Sequence, residues 1–348
     1  MIFKKYTDPE TQKKNNIFTS TDENGELPES SARRYFSVLG FALLVSFIIK
    51  DLLYAGLVWL ISSFAPYLLE NAFVVFLVSN IPLYGVALPL CALLLRRLPR
   101  ATPLKNNIKA HHWIGGMCVA FALMMAGNYV SQMLTTAFSI IRGEQLVNPI
   151  ADFTQSTPPI FVILAAVIIA PIAEELFFRK LLCDKLLPLG EGYAIFISSA
   201  IFALAHGNLF QIFYAFALGC FFAYVYINTG KLRHTVLYHT VINLLGSVVA
   251  TWIISNLDLE AMMSGELTIE MIRENIAPIL ALLAYEFIML GGALAGMILL
   301  FINIKKIKIR GGLIPPAKSA RVSSVFMNFG IASLILYFAL TIVMSLFV

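Results

Sequence analysis

Apolar residues in this chain come in long unbroken runs, not in the three-to-four-residue periods of a soluble helix bundle. Nine runs stand out, at about 36–64, 71–95, 113–137, 158–186, 192–206, 209–229, 234–256, 275–304 and 324–348. A run of roughly 18 or more apolar residues suffices to cross a bilayer as a helix. The pattern therefore predicts an all-α fold, a polytopic transmembrane helical bundle of eight or nine spans. The first run is interrupted by Lys50-Asp51. It reads either as one helix projecting from the membrane or as an interfacial helix followed by a span. Eight spans would require one of the short runs to be re-entrant.

Composition agrees with the pattern. Of 348 residues, 59% are hydrophobic and 13% charged, with mean hydropathy +0.81. Soluble domains are about 45–50% apolar and about a quarter charged, so the excess has to face lipid. The four cysteines, Cys91, Cys118, Cys183 and Cys220, fall in apolar stretches without a C-x-x-C pair. They read as small buried residues, not as a disulfide frame or metal site. Residues 1–34 are too polar for the start of a signal peptide and read as a disordered or interfacial tail.

The net charge of +5 is spread unevenly. The tail carries Lys4, Lys5, Lys13, Lys14, Arg33 and Arg34. Arg96, Arg97, Arg100, Lys105 and Lys109 follow the second run, and Lys180 and Lys185 stand in the fourth-to-fifth region. Lys231 and Arg233 lie between the sixth and seventh, and six more between Lys305 and Arg321. With nine crossings, all of these fall on one side. The other side holds Arg142 and Arg273 with Glu70, Glu144, Asp152, Asp258, Glu260, Glu266, Glu270 and Glu274. Cytoplasmic loops hold the basic excess, which places the N-terminus inside and the C-terminus outside. The basic residues thus orient the protein and imply no nucleic-acid partner; the bilayer of a cell membrane is the partner they imply. The longest loops, 138–157 and 257–274, are too short for a soluble catalytic domain. The chain divides into a tail (1–34), N-terminal spans (35–150), a membrane core (151–256) and C-terminal spans (257–348).

Chemistry must then sit among the spans. An ionisable group in a membrane helix costs about 2.5–3.5 kcal/mol and persists when paired or functional. Three consecutive stretches of the core bear that cost. In Ala173-Glu174-Glu175-Leu-Phe-Phe-Arg179, Glu175 and Arg179 are spaced i,i+4 and suit an ion pair. Glu174 lies about 100° around the helix and is left as a base. Phe202-Ala-Leu-Ala-His206-Gly207-Asn208 ends a helix at its Gly-Asn. His239-Thr-Val-Ile-Asn243 puts an imidazole and an amide on one face, where two donors could stabilise an oxyanion. At 1.5 Å per residue, Glu174 lies about 16 Å in from Lys185, His206 about 20 Å from Tyr193 and His239 about 12 Å from Lys231. All three fall near one depth, which requires the fifth run to be short and to end inside the membrane. His111, His112 and His234 read as interfacial, Glu286 as paired or near the outer interface, and Gly292-x-x-x-Gly296 as close helix packing.

At these residues the chain resembles the CAAX-protease and bacteriocin-processing (CPBP, Abi-type) family of intramembrane peptidases. That family carries E-E-x-x-x-R, F-x-x-x-H and H-x-x-x-N on successive helices, here Glu174-Glu175-x-x-x-Arg179, Phe202-x-x-x-His206 and His239-x-x-x-Asn243. The resemblance covers about 158–250. It implies a cavity open toward the cytoplasm and hydrolysis of a peptide bond in a peptide or lipid-modified peptide. It also implies a bacterial plasma membrane as the location. Glu174 and His206 would activate water, and His239 and Asn243 would stabilise the oxyanion. Glu175 and Arg179 would support the site, the second Glu being able to share the first role, with Phe202 packed beside it. A Glu with two His is also a ligand set of catalytic zinc sites, so zinc stays open. No H-E-x-x-H helix is present, and metal-free catalysis is favoured. A non-catalytic immunity or scaffold protein of the same fold is the alternative, and a transporter is a further one.

Overall fold

The computed structural model describes residues 20–257 and 275–347, together with 6, 7, 18 and 273. Lys4, Lys5, Lys13 and Lys14 of the tail, and Asp258, Glu260, Glu266, Glu270 and Glu274, lie outside the described residues. So do residues 1–5, 8–17 and 19 of the segment read as a disordered or interfacial tail, whose last six residues instead begin a helix at Glu29.

Among the described residues ten helices carry the fold. They are α1 (Glu29–Phe64), α2 (Ala72–Arg97), α3 (Ala110–Arg142), α4 (Pro149–Ser156), α5 (Pro159–Leu186), α6 (Glu191–Leu204), α7 (Leu209–Thr229), α8 (Leu232–Ser255), α9 (Ile276–Lys306) and α10 (Phe329–Ser345). Seven are long and apolar enough to cross a membrane; α6 and α10 are apolar but shorter, and α4 is a surface turn of eight residues. The protein is thus an all-α polytopic membrane bundle. A two-stranded pairing joins Tyr6–Thr7 to Thr102–Pro103.

Contacts along the helices show how they alternate. Ser37 meets Gly330, and Phe47 meets Phe338, so α10 runs parallel to α1. Tyr193 at the start of α6 packs on Phe36, and Gly207 beyond its end meets Thr341, so α6 is parallel to both. Phe161 of α5 packs on Phe73 and Phe76 of α2, and Glu174 meets Tyr84 further along both, so these two are parallel. Glycine-mediated contacts of α3 with α7 and α9 have opposite sequence sense, so both run antiparallel to α3. Nine helices therefore alternate in direction, and the starts of α1 and α10 share a face.

Backbone bonds knit that face together. Leu27 N–H donates to Pro315 O, Ala101 N–H to Asp184 O, Asn106 N–H to Thr229 O, and Glu191 N–H to Arg310 O. These are the loops that hold the basic residues. Lys185, counted above as a loop charge, is instead buried, its ammonium donating to Leu98 O. Its neighbour Asp184 is also buried, accepting from Tyr226 Oη (2.8 Å), Lys180 Nζ (2.9 Å) and Thr102 Oγ1 (3.3 Å).

Helix α1 is continuous through Lys50-Asp51. At 36 residues it is about 54 Å long, well beyond a bilayer's hydrocarbon core. The two charges neutralise each other at 2.7 Å, and Tyr337 Oη donates to Asp51. Glu286 is exposed on α9, whereas His111 and His112 lie ring against ring, tilted by 41°, at the exposed start of α3.

The Gly292-x-x-x-Gly296 face packs on α3 as the spacing predicts. A Cβ added at Gly296 would stand 1.9 Å from Cys118 O, and one at Gly292 2.6 Å from the Phe121 ring. The first obstacle is backbone and cannot turn aside. Gly296→Val is expected to lower stability by about 1–3 kcal/mol, read as a lower unfolding midpoint in detergent. Gly291→Val, in open space one position before Gly292, serves as the control.

Candidate active site

The proline in the fourth run shapes the site. Pro171 has no N–H, so the carbonyl of Val167 lacks its usual helical donor. The Ala170 N–H reaches back to Ala165 O in a widened turn spanning Ile163–Ile169, which leaves Ala166 O without its usual donor as well. Both orphan carbonyls are taken by α8. Asn243 Nδ2 donates to Ala166 O at 2.8 Å and Thr240 Oγ1 to Val167 O at 3.3 Å. These bonds lock α8 against α5 in antiparallel register.

Widened helical turns recur around the same place. Tyr84 lies within Ile81–Ala87, Glu175 precedes Leu176–Cys183 and Asn243 precedes Leu244–Val249. Such turns free carbonyls and redirect side chains, and they concentrate at functional sites.

The predicted pair forms as the i,i+4 spacing requires. Arg179 Nε donates to Glu175 Oε2 at 3.1 Å, and both side chains are fully buried. Arg179 Nη1 also donates to Ser198 Oγ at 3.3 Å, and the guanidinium lies 5.2 Å from the Phe202 ring centre. Glu175 Oε1 then bonds His239 Nδ1 at 3.1 Å. Glu174 points elsewhere but has a partner: Tyr84 Oη donates to its Oε1 at 3.0 Å. Its Oε2 stands 3.8 Å from His239 Nε2.

The two histidines present the same edge to the site. Phe202 O is an acceptor 2.8 Å from His206 Nδ1, so that nitrogen carries the hydrogen. Glu175, paired with Arg179, likewise accepts from His239 Nδ1–H. In the neutral rings both Nε2 atoms are therefore lone-pair acceptors. Phe202 separates them, its ring edge-to-face with His206 at 4.9 Å and with His239 at 5.8 Å. His206 can sit here because α6 stops after 14 residues. Gly207 adopts φ +67°, and Asn208 Oδ1 accepts from Gln211 N–H to start α7. The predicted short fifth helix is thereby observed.

Glu174, His206, His239 and Asn243 all line one cavity of about 410 Å³, with Phe202 in its wall. Glu175 and Arg179 stand behind it. Sequence reasoning missed Tyr84, Asn128, Asn148 and Gln211, which also line it. Polar residues within or beside apolar runs, such as Asn80-x-x-x-Tyr84, were the available signal. The donor set of two imidazoles and a carboxylate suits zinc chemically. Among the described residues, however, no three or more His, Cys, Asp or Glu side chains are gathered into a metal-binding group.

The cavity departs from expectation in one respect. Its lining extends to Asn148, Ile150 and Phe153, beyond the ends of the helices opposite the basic loops. A cytoplasm-facing cavity, which the resemblance implied, and cytoplasmic basic loops, which the charge pattern implied, are incompatible in this fold.

The fold and site define a class: a polytopic membrane protein with a Glu/His/Asn cavity among its helices. Residues 156–245, the membrane core, match the family model described as type II CAAX prenyl endopeptidase Rce1-like. The chain is 30% identical over 159 residues to a putative membrane peptidase, YdiL, of Bacillus subtilis (strain 168), covering 43% of this chain and 62% of that protein. It is 31% identical over 135 residues to the membrane-embedded CAAX protease MroQ of Staphylococcus aureus (strain USA300), covering 36% and 53%. The chain thus spans between half and two thirds of the length of these relatives. No solved structure matches.

Proposed function

We propose that the protein is an intramembrane endopeptidase that hydrolyses a peptide bond with a water activated by Glu174 and His206. The observation that carries this reading is the convergence, in one membrane-embedded cavity, of a carboxylate and two imidazole Nε2 lone pairs. A water there would donate one hydrogen to Glu174 and the other to His206 Nε2. Its own lone pair would be left aimed at a substrate carbonyl. Attack forms the C–O bond as the water's proton passes to Glu174. Collapse of the tetrahedral intermediate returns a proton to the leaving amine.

The oxyanion needs donors. Asn243 has a second amide hydrogen beyond the one given to Ala166. Neutral His239 donates only toward Glu175; a proton on its Nε2, between two carboxylates, would turn that edge into a charged donor facing the cavity. Glu174, His206 and His239 are not drawn together as a metal-binding group among the described residues, so no step is assigned to zinc. The family-model match and the two bacterial relatives support a bacterial plasma membrane as the location.

The test is proteolysis by the purified protein in nanodiscs, using reporter peptides with apolar segments. His206→Ala should remove cleavage. Cleavage at the unchanged rate by that variant would overturn the reading. Tyr84 is assigned a positioning role, since its hydroxyl orients Glu174. Tyr84→Phe is expected to lower kcat roughly tenfold, about 1.4 kcal/mol, with KM and unfolding midpoint unchanged.

A further inference from the structure

The geometry points to a substrate that reaches the site from the membrane face opposite the basic loops, which the positive-inside pattern makes the extracytoplasmic face. This rests on the endopeptidase reading and specifies how its substrate must be presented.

Three helices carry the argument in the same way. On α5 the cavity is lined by Ala165, Ala166 and Ala170, all on the far side of Glu174 from the basic loops. Beyond Glu174 in the other direction the helix is closed: Arg179, Leu182 and Cys183 are each 0% exposed. On α7 the cavity takes Phe210, Gln211 and Tyr214, whereas Phe222 forms its floor at 0% and Tyr226, nearer the basic face, is 1% exposed. On α8 the lining runs from His239 through Asn243 to Ser247, while Thr235 and Tyr238 are shut in at 0% and 1%. Every catalytic side chain therefore has solid packing toward the basic loops and open space away from them.

The buried groups explain why that half cannot open cheaply. The fully buried Glu175–Arg179 pair and the Asp184 network lie in it, and separating them would strand charges in a low-dielectric interior. The other half ends at a mouth where Asn128 and Asn148 are exposed. Further cavities extend from it on the same side. One of about 400 Å³ shares Phe210, and one of about 560 Å³ shares Ser247. The two thus border the central cavity, which holds Glu174, on the side away from the basic loops. None of the described residues lining the central cavity is Lys or Arg, so a terminal carboxylate would find no cation there. Neutral amides at the mouth suit backbone N–H and C=O groups instead.

The experiment measures access, not turnover. Single cysteines are placed at Gln211, inside the cavity, at Asn128, at its mouth, and at Lys105, exposed in a basic loop, in the full-length chain with Cys91, Cys118, Cys183 and Cys220 replaced by alanine. Each is treated with a small, permanently charged methanethiosulfonate reagent on intact cells and on inverted vesicles. The expected result is labelling at positions 211 and 128 at least tenfold faster in intact cells, and at position 105 at least tenfold faster in inverted vesicles. Labelling of 211 and 128 from the same side as 105 would overturn the proposal. Were one cavity variant to misfold, the other still decides. The labelling needs no proteolysis, so inactivity of the enzyme and failure of this access route are read separately.

Discussion

Glu174→Gln is expected to abolish proteolysis while leaving the protein folded in the membrane. The substitution keeps the shape of the side chain, and its amide oxygen can still accept from Tyr84 Oη, which now bonds Glu174 at 3.0 Å. What disappears is the base. Losing a positioned general base lowers rates by about 10²–10⁴-fold, and here His206 Nε2 would remain as an acceptor without a carboxylate to take the proton. The measurement is single-turnover cleavage of a reporter peptide by nanodisc protein at matched membrane yield. Wild-type rates from this variant would remove Glu174 from the chemistry and return the site to a binding or immunity role.

Arg179→Met should have the largest structural effect. The guanidinium is wholly buried, bonded to Glu175 and Ser198 and stacked near Phe202. Its removal leaves the Glu175 carboxylate without a countercharge in a packed interior, a change that typically destabilises by about 3–5 kcal/mol. It also loosens His239, which Glu175 holds through Nδ1. Both stability and cleavage should therefore fall, the first seen as a lower unfolding midpoint in detergent. The double variant Glu175→Gln/Arg179→Met separates the two effects. With both charges gone the midpoint should recover part of the loss. Cleavage should stay low, because a neutral amide at position 175 no longer offers His239 Nδ1–H a charged acceptor. Equal midpoints for the single and double variants would show that the pair is not the source of the instability.

Much of this protein was legible in its sequence, for identifiable reasons. Lipid demands unbroken apolar runs, so the apolar helices could be located: among the described residues nine are found, seven of them long enough to cross a membrane and two shorter. Buried ionisable and strongly polar residues are expensive, so Glu174, Glu175, Arg179, His206, His239 and Asn243 stood out against an apolar background. The i,i+4 spacings of Glu175 with Arg179 and of His239 with Asn243 are local rules and carried straight into the fold. Gly207-Asn208 marked the end of the short helix that holds His206.

Other features depend on contacts between distant parts of the chain. Tyr84 is 90 residues from Glu174, and nothing in its own neighbourhood names its partner. The tautomers of His206 and His239 follow from which carbonyl or carboxylate lies against each Nδ1. Asn243 looked like a free donor until Pro171 and the widened turn before it left Ala166 O to be satisfied. Lys185 looked like a loop charge until Leu98 O closed over it. The side on which the cavity opens was beyond sequence reasoning altogether. By itself the sequence determined that charged groups would gather near the middle of a membrane bundle, because hydrophobicity and helical spacing are properties of single segments. Only the tertiary structure decided which half of that bundle is packed shut and which is open. That is settled by how side chains from α5, α7 and α8 fill the space between them.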